Sequence, residues 1–328
     1  MNRRDSILAL AALGALPLAT HAQQARKIPL IGWLHPGTAG AVTGASSAFD
    51  GLRAGLRTSG YIEGKTIRIE ARWAQGKPEA LPGLAQQLVQ QKVDLIVAVS
   101  PAAVRAAATA TRDLPIVAQD LETDPVASGL VTSLAKPGGN LTGLFLNHAD
   151  LAGKWLQIVK EIVPGARRIA VLRDANTGPY QIAAITAAAK TMAVSLQILD
   201  FRDAAGIQGA LNAGLKEKPE ALVQLGSPLI NAAGKTIADF LVTHRIPAIS
   251  PFRTFTDNGG LLSYGPNLPI VYRGLAVYIS KILKGAKPGD LPVEQPTHFE
   301  LIVNLKAARA IGVKLPTAIL VRADEVIE

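Results

Sequence analysis

Residues 97–107 read V-A-V-S-P-A-A-V-R-A-A, and this stretch predicts a strand that runs directly into a helix. An apolar, β-branched segment ends at Ser100, Pro101 follows, and an alanine-rich segment begins at once. Proline is well tolerated at the first position of a helix, and serine is favourable just before it. The free N–H groups and the dipole of such a helix end favour an anion. Ser100 is therefore either a candidate anion-binding residue or the cap of a well-formed turn.

The same order of elements recurs in the second half of the chain. In the first half, D-L-I-V-A-V-S-P-A-A (94–103) is followed by L-P-I-V-A (114–118). In the second half, A-L-V-Q-L-G-S-P-L-I (221–230) is followed by I-P-A-I-S (246–250). Each half thus has a strand, a Ser-Pro pair, a helix and an X-Pro strand. The match indicates an internal duplication in which Ser227 is the counterpart of Ser100.

Strand-like and helix-like segments alternate through both halves, which is typical of an α/β fold with parallel sheets covered on both faces. We therefore predict two Rossmann-like lobes. Ligands of such sheets bind beyond the carboxyl ends of the strands, and pockets favour domain interfaces. The cleft between the lobes is the expected binding site. The expected strands are 27–33, 66–73, 93–99, 115–118, 168–172, 195–200, 221–225, 246–249, 261–264 and 299–304, and a single helix is expected at 228–244.

Proline-rich segments at 136–143 and 287–296 are expected to carry the chain from one lobe to the other. They predict that lobe 1 comprises residues 27–142 plus about 261–287. Lobe 2 is then expected to comprise residues 143–260 plus about 288–328.

The composition describes a soluble globular protein. Of 328 residues, 48% are hydrophobic and 18% are charged, which is enough to bury a large core. The 34 basic and 25 acidic residues give a formal charge of +9, but the basic residues are scattered. A nucleic-acid site would require them to cluster, so no nucleic-acid partner is expected. The chain has no cysteine, which excludes disulfides, thiolate metal sites and a cysteine nucleophile.

The first 22 residues predict a cleavable signal peptide. Arg3 and Arg4 precede an apolar stretch at 7–19, and small residues lead to a cleavage site after Ala22. The apolar stretch is too short for a permanent membrane span. The predicted destination is the periplasm. The two arginines favour the twin-arginine route, while Ser6 leaves the ordinary secretory route open.

No catalytic or metal-binding set is predicted. The histidines at 35, 148, 244 and 298 have no metal-ligand spacing, and there is no G-x-S-x-G nucleophile motif. The glycines at 37, 40 and 44 do not have dinucleotide spacing, and neither Gly-Lys-Thr sequence has the preceding glycine of a phosphate loop. We therefore expect no enzyme activity, cofactor or metal, and we assign His35, at the end of the first strand, a binding role.

Several long blocks resemble a bacterial family of ABC-transporter substrate-binding proteins related to the tryptophan and aromatic amino-acid binders. They include D-P-V-A-S-G-L-V-T-S-L-A-K-P-G-G-N-L-T-G (124–143), G-G-L-L-S-Y-G-P-N-L (259–268) and P-G-D-L-P-V-E-Q-P-T (288–297). The resemblance covers the mature chain. It implies a type I periplasmic-binding architecture: two α/β lobes, three crossings, and a ligand enclosed in the interlobe cleft by hinge closure.

The resemblance also implies that the ligand contacts the strand ends of both lobes. The departures at 173–175 and 225–227 from the pattern of tryptophan binders indicate a different side-chain pocket. The candidate ligand-binding residues are His35, Gly37, Ser100, Ala102, Ala103 and Asp120 in the first half, with Asn176, Thr177, Tyr180, Ser227, Phe252 and Tyr264 in the second.

The expected function is that of an extracytoplasmic solute-binding protein. It would deliver a small carboxylate-bearing solute, an amino acid or an aromatic or organic acid, to an ABC permease in the inner membrane. Closure of the cleft would exclude water, and the protein would act as a monomer without a cofactor. The net positive charge favours an anionic solute. The alternatives are a periplasmic ligand sensor that acts on a receptor and a secreted α/β enzyme that acts at the same cleft.

Overall fold

The computed structural model describes residues 28–38, 48–146 and 149–328. The expected signal peptide, the glycines at 40 and 44, and His148 lie outside the described residues. In the described part of the chain, no helix combines the length and the apolar character needed to cross a membrane.

The strands of the described residues form two sheets. The order of the first is β2-β1-β3-β4-β5 and that of the second is β12-β11-β10-β9-β8-β6-β7. All neighbouring strands run parallel except β10 and β11. The predicted two-lobed α/β fold is therefore confirmed. The strands are β1 (Leu30–His35), β2 (Arg68–Trp73), β3 (Leu95–Val99), β4 (Ile116–Asp120), β5 (Leu141–Phe145), β6 (Arg168–Asp174), β7 (Ser195–Phe201), β8 (Ala221–Gln224), β9 (Ala248–Ser250), β10 (Leu262–Pro266), β11 (Phe299–Asn304) and β12 (Glu325–Ile327).

Helices cover both faces of each sheet. On the first sheet, α1 and α10 pack on one face and α2 and α3 on the other. On the second sheet, α4, α5, α11 and α12 share one face, while α6, α7 and α8 cover the other. The helices are α1 (Ala48–Thr58), α2 (Leu81–Gln90), α3 (Pro101–Ala110), α4 (Ala149–Ile162), α5 (Tyr180–Thr191), α6 (Gly206–Gly214), α7 (Pro228–Ala232), α8 (Gly234–Thr243), α9 (Arg253–Asp257), α10 (Leu268–Leu283), α11 (Leu305–Ile311) and α12 (Thr317–Arg322).

The sequence of each strand matches its place in the sheet. Strand β3, L-I-V-A-V, is fully buried, because a central parallel strand is covered by helices on both faces. Strand β2, R-I-E-A-R-W, lies at the sheet edge and is only partly buried. Glycines allow α1 to contact α10 closely: a Cβ on Gly51 would lie 2.3 Å from the carbonyl oxygen of Pro269.

The crossings between the lobes differ from the prediction. Residues 141–145 form β5 of the first sheet, and 262–266 form β10 of the second sheet, where β10 pairs with β9 and β11. The segment 287–296 lies against lobe 1, because Val293 N donates to Leu134 O and Glu294 N donates to Gly143 O. The chain therefore leaves the first sheet after Phe145, returns to lobe 1 after Pro266 and enters lobe 2 again at Phe299. The expected boundaries near 143, 261 and 288 were too early, because backbone pairing with distant segments decides where each strand belongs.

The single helix expected at 228–244 is also divided. Helix α7 ends at Ala232 and α8 begins at Gly234. At the break, a Cβ on Gly234 would lie 3.4 Å from the carbonyl group of Thr254. This distance is an ordinary van der Waals contact, so α9 packs directly against the break between α7 and α8.

Candidate functional site

The two lobes touch each other beyond the carboxyl ends of their parallel strands. The Nη2 atom of Arg105, on α3 of lobe 1, donates to the carbonyl oxygen of Asn176 in lobe 2 at 3.1 Å. The backbone nitrogen of Ala204 in lobe 2 donates to the carbonyl oxygen of Gly76 in lobe 1 at 3.4 Å. These contacts show a closed form of the cleft in which the sequence places the ligand.

A cavity of about 10 Å³ lies between the lobes at the start of α3, and we call it the central cavity. Its volume suits one water-sized group. It brings together four of the predicted site residues: Ser100, Ala102, Asn176 and Thr177. The remaining lining residues are Pro36, Pro78, Pro101, Asp174, Pro228 and Leu229.

Ser100 caps α3, as the sequence predicts. Its Oγ accepts a hydrogen bond from the backbone nitrogen of Ala103 at 3.2 Å, and its side chain is buried. The backbone of Ser100 has φ 98° and ψ 158°, a region that is essentially restricted to glycine. The hydroxyl hydrogen has no acceptor among the described residues. Ser100 can therefore donate a hydrogen bond into the central cavity, and Ala103 contributes to the site only through this cap.

Ser227 caps α7 in the corresponding position of lobe 2, but its hydroxyl is fully used. The Oγ accepts from the backbone nitrogen of Leu229 at 3.1 Å and donates to Oδ2 of Asp174 at 2.7 Å. The other oxygen of Asp174 accepts from the backbone nitrogen and the side-chain amide of Asn176, at 2.9 and 2.8 Å. Ser227 and Asn176 therefore fix the Asp174 carboxylate in the wall of the central cavity.

Two further carboxyl groups, Asp120 and Glu122, are buried in lobe 1 beyond the end of β4. The Oδ1 of Asp120 accepts from the backbone nitrogens of Glu122 and Thr123, both at 3.0 Å. Its Oδ2 is buried and accepts no hydrogen bond from an N–H group of the described residues, while the side chains of Thr123 and Glu122 interact with the Asp120 carboxyl. We refer to Asp120, Glu122 and Asp174 together as the cleft carboxylates.

Burial raises the pKa of every cleft carboxylate. The pKa of Asp120 is raised from 3.8 to about 6 by desolvation. Desolvation raises the pKa of Glu122 well above its usual range, and the charges of Asp120 and Asp174 raise it further. Desolvation also raises the pKa of Asp174, while the hydrogen bonds from Ser227 and Asn176 lower it. The influence of Asp174 on Glu122 shows that the acids of the two lobes are close enough to interact across the cleft.

None of the cleft carboxylates forms an ion pair within the described part of the chain. Nor do the described residues contain a group of three or more side chains arranged to hold a metal ion. Buried charges are normally paired or neutralised. In the closed form the raised pKa of Glu122, its interaction with Asp120 and the nearby charge of Arg105 reduce the cost of burying these acids.

His35 lies at the end of β1 within an aromatic cluster. Its ring centroid is 5.0 Å from that of Trp73 and 6.2 Å from that of Trp33. The Nδ1 atom accepts from the backbone nitrogen of Gly37 at 2.9 Å, and burial lowers the pKa of His35 to about 3. The imidazole is therefore neutral and carries its proton on Nε2. Trp33 also contacts Phe49, and its indole nitrogen is buried without a hydrogen-bond partner among the described residues.

The remaining predicted residues lie away from the central cavity. Phe252 follows β9 of lobe 2 but packs into the hydrophobic cluster of lobe 1 that contains Trp33, so it bridges the lobes. Tyr180 is half-buried at the start of α5. Tyr264 packs against the core of lobe 2, with its ring 6.2 Å from that of Phe299. The structure does not bring Tyr264 to the cavity.

Sequence reasoning missed Glu122, Asp174 and Arg105. The two acids follow or end strands, which is a usable signal because the carboxyl ends of parallel strands meet at one edge of a sheet. Their pairing across the lobes depends on the closed geometry. Arg105 has the ordinary appearance of an exposed helical residue, and only its contact with Asn176 distinguishes it.

A sequence model of the family described as "ABC transporter substrate binding protein" matches residues 42–327. The chain belongs to this family. Within it, the chain is 27% identical over 261 residues to the tyrosine-binding protein of Clostridioides difficile, a match that covers 79% of this chain and 74% of that protein.

Solved structures share the fold. A conserved domain protein from Vibrio cholerae has a TM-score of 0.83 and 26% identity, over 92% of this chain and all of the other. An ABC domain from Streptococcus pneumoniae in complex with L-Trp has a TM-score of 0.81 and 24% identity, over 91% of this chain and 99% of the other. The predicted family and fold are confirmed by these comparisons.

Proposed function

We propose that this substrate-binding protein closes on an α-amino acid with an aromatic side chain and delivers it to an ABC importer. The observation that carries the proposal is the buried cluster of Asp120, Glu122 and Asp174, in which Asp120 Oδ2 accepts no hydrogen bond from an N–H group of the described residues and the Glu122 carboxyl interacts with that of Asp120. A ligand ammonium group would supply the missing hydrogen bonds and the compensating charge.

The cleft carboxylates favour an amino acid over a simple organic acid. A carboxylate ligand without an ammonium group would place another negative charge beside Asp120 and Asp174, and like charges at close range in a buried site repel strongly. A zwitterion can direct its ammonium group to these acids and its carboxylate away from them. The free hydroxyl hydrogen of Ser100, at the amino end of α3, is a suitable donor for that carboxylate.

The aromatic cluster favours a ligand with a flat apolar body. The neutral imidazole of His35 and the rings of Trp73 and Trp33 form an aromatic cluster at the end of β1 that is buried in this closed form, and an aromatic ligand would pack on it once the lobes open. Two similar proteins are associated with aromatic amino acids: one is described as a tyrosine-binding protein, and the other was solved in complex with L-Trp. Both observations support the same ligand class.

Delivery follows from closure of the lobes. The contacts of Arg105 with Asn176 and of Ala204 with Gly76 would hold the lobes together and exclude water. The central cavity of about 10 Å³ would have to widen to enclose an amino acid. Hinge closure of this kind is a common switching mode. The proposed partner is an ABC permease of the inner membrane, and the proposed location is the periplasm, reached through the signal peptide.

The test is ligand binding by the purified mature protein, measured by isothermal titration and thermal shift. L-Tyrosine, L-tryptophan and L-phenylalanine are compared with their deamino acids, which lack the ammonium group. Binding of the amino acids raises the melting temperature by mass action. It also releases protons, because a cation lowers the raised pKa values of Asp120 and Glu122, and this release is measured in buffers of different ionisation enthalpy.

Asp120→Asn removes the charge while keeping the oxygen that caps Glu122 and Thr123. The affinity for amino acids should fall by about tenfold or more. Asp113→Asn, at an exposed acid outside the cleft, is the matched control and should bind normally. Equal binding of an amino acid and its deamino acid, or an unchanged affinity in Asp120→Asn, would contradict the proposal.

A further inference from the structure

A groove of about 1110 Å³ runs between the lobes alongside α3 and opens to solvent. It shares Pro78, Ala102 and Asn176 with the central cavity, so the two spaces adjoin. One wall is a single face of α3, made by Ala102, Arg105, Ala106, Thr109 and Ala110. At 1.5 Å per residue this face is about 12 Å long. Because residues of both lobes line the groove, it has this shape only when the cleft is closed.

Two arginines stand beside Asn176, where the groove meets the central cavity. Arg105 donates one N–H to the carbonyl oxygen of Asn176, and the side-chain amide of Asn176 donates to the carbonyl oxygen of Arg202. Neither guanidinium group forms an ion pair within the described residues.

Two acids line the groove. One of them, Asp203, accepts a hydrogen bond from the backbone nitrogen of Gly206. The other is Glu79. Burial raises the pKa of Asp120, in the adjoining site, and the charge of Arg105 lowers it. The two guanidinium groups have no carboxylate of the described residues within 4.0 Å, so their remaining N–H donors are suited to a ligand carboxylate.

The spacing suits a short extension of the proposed ligand. Arg105 lies one helical turn beyond Ala102, about 4.5 Å along the axis of α3. One residue of extended peptide spans about 3.3–3.6 Å. A ligand whose ammonium group meets the cleft carboxylates can therefore place the carboxylate of its next residue near Arg105 and Arg202. The small side chains of Ala102 and Ala106 leave room for a peptide backbone in the groove.

We infer that the protein binds short peptides with an aromatic amino-terminal residue, and that Arg105 and Arg202 receive the peptide carboxylate. This inference rests on the proposed function, because it uses the same site for the ammonium group and the aromatic side chain. It adds the groove as a second subsite and widens the substrate class from amino acids to dipeptides and tripeptides.

Isothermal titration of the purified mature protein with L-tyrosine, Tyr-Gly and Tyr-Gly amide tests the inference. Tyr-Gly is expected to bind about tenfold more tightly than its amide, since a charge-assisted contact contributes that much. Tyr-Gly is also expected to bind at least as tightly as tyrosine. Binding of tyrosine without binding of Tyr-Gly, or equal affinities for Tyr-Gly and its amide, overturns the inference and leaves the proposed function intact. If none of these ligands and neither of the other aromatic amino acids binds, both are refuted.

Arg202→Gln separates the two subsites, because the Arg202 side chain is exposed and the bond to Asn176 uses only its backbone. The ratio of the Tyr-Gly affinity to the tyrosine affinity should fall about tenfold. Arg309→Gln, at an exposed arginine on α11, is the control and should leave the ratio unchanged. Arg105→Gln should lower the same ratio and also weaken both ligands, because it removes the contact with Asn176. An unchanged ratio in Arg202→Gln contradicts the assignment of this arginine.

Discussion

The two Ser-Pro turns have the same sequence pattern and different chemistry. Both serines are buried and cap a helix that follows a parallel strand. Ser227 has an extended backbone with φ −164°, and its hydroxyl is bonded to Asp174. Ser100 has φ 98° and a hydroxyl hydrogen without an acceptor among the described residues. The Ser227 turn has no free hydroxyl donor and no backbone strain. The Ser100 turn has both.

This difference shows how a duplicated element can divide its tasks. In lobe 2 the serine fixes an acid that faces the cleft. In lobe 1 the buried acid Asp120 ends β4, a strand that is not the counterpart of β6, and it is held by backbone N–H groups. Ser100 is therefore left to face a ligand. Backbone strain is commonly retained at functional sites, where it is offset by the surrounding structure.

The largest expected effect is from Ser227→Ala. The variant loses a helix cap and leaves an oxygen of Asp174 buried without its hydroxyl donor, so we expect a loss of about 3–4 kcal/mol in the free energy of unfolding. Ser100→Ala loses only the cap and should cost about 1 kcal/mol. Denaturant unfolding of the ligand-free proteins at pH 7 compares them. Equal losses in the two variants would show that the turns are equivalent after all.

A second variant identifies the source of that loss. Adding Asp174→Asn to Ser227→Ala removes the buried charge that has lost its donor. The double variant should therefore be more stable than the sum of the two single changes predicts. Strict additivity would mean that the hydrogen bond between these residues contributes little.

Asp120→Asn tests whether burying the charged form of Asp120 in lobe 1 lowers the stability of the folded protein. Its folded pKa of about 6 lies above 3.8, so the native state holds the proton more tightly than the unfolded state. The contribution is therefore favourable at low pH and is lost as the pH rises from about 4 to 6. Relative to the wild type, Asp120→Asn should become more stable across that window by about 2–3 kcal/mol.

The measurement is denaturant unfolding of both ligand-free proteins between pH 4 and pH 7. His35 has the opposite pH dependence, because its pKa is lowered to about 3, and its stabilising effect is lost as the pH falls below about 6.5. Both proteins contain His35, so its contribution cancels in the difference, which reports Asp120 together with its effect on the pKa of Glu122. Parallel pH profiles would contradict a raised pKa at Asp120.

The smallest expected effect on stability is the difference between glycine and alanine substitutions at Ser100 and at Ser227. At Ser100 the φ and ψ angles suit glycine, and glycine is also an acceptable cap. Ser100→Gly should therefore be about 1 kcal/mol more stable than Ser100→Ala. At Ser227 the backbone is extended, so glycine relieves no strain and Ser227→Gly should be no more stable than Ser227→Ala. Thermal unfolding of the four variants provides the comparison, and a glycine gain at both positions would show that strain is not the cause.

The fold was predictable where the signals are local. The alternation of strands and helices and the repeated Ser-Pro turn can both be recognised from short stretches of neighbouring residues. The place of β10 was not predictable in this way, because it depends on antiparallel pairing with β11 more than 30 residues later in the chain. The break before α8 lies where Gly234 packs against Thr254 of α9, a contact between segments that are separate in the sequence.

The site was predictable only in part for the same reason. Ser100, Asn176 and Thr177 follow the carboxyl ends of parallel strands. The topology of the sheets therefore places them at the cleft. The roles of Glu122 and Asp174 depend on the approach of one lobe to the other. Tyr264 packs against the core of lobe 2, and not at the cleft as predicted, because its strand β10 belongs to the second sheet.

The two hydrogen bonds that join the lobes, from Arg105 to Asn176 and from Ala204 to Gly76, also have a kinetic consequence. A solute enclosed between the lobes can leave only after both bonds break, whereas the open form can capture a solute before either bond forms. Changes at these contacts should therefore alter the residence time of the solute and hardly affect its rate of arrival. Under the proposed function the same contacts would also limit how quickly an importer is supplied, because a bond that prolongs retention of the solute delays its transfer.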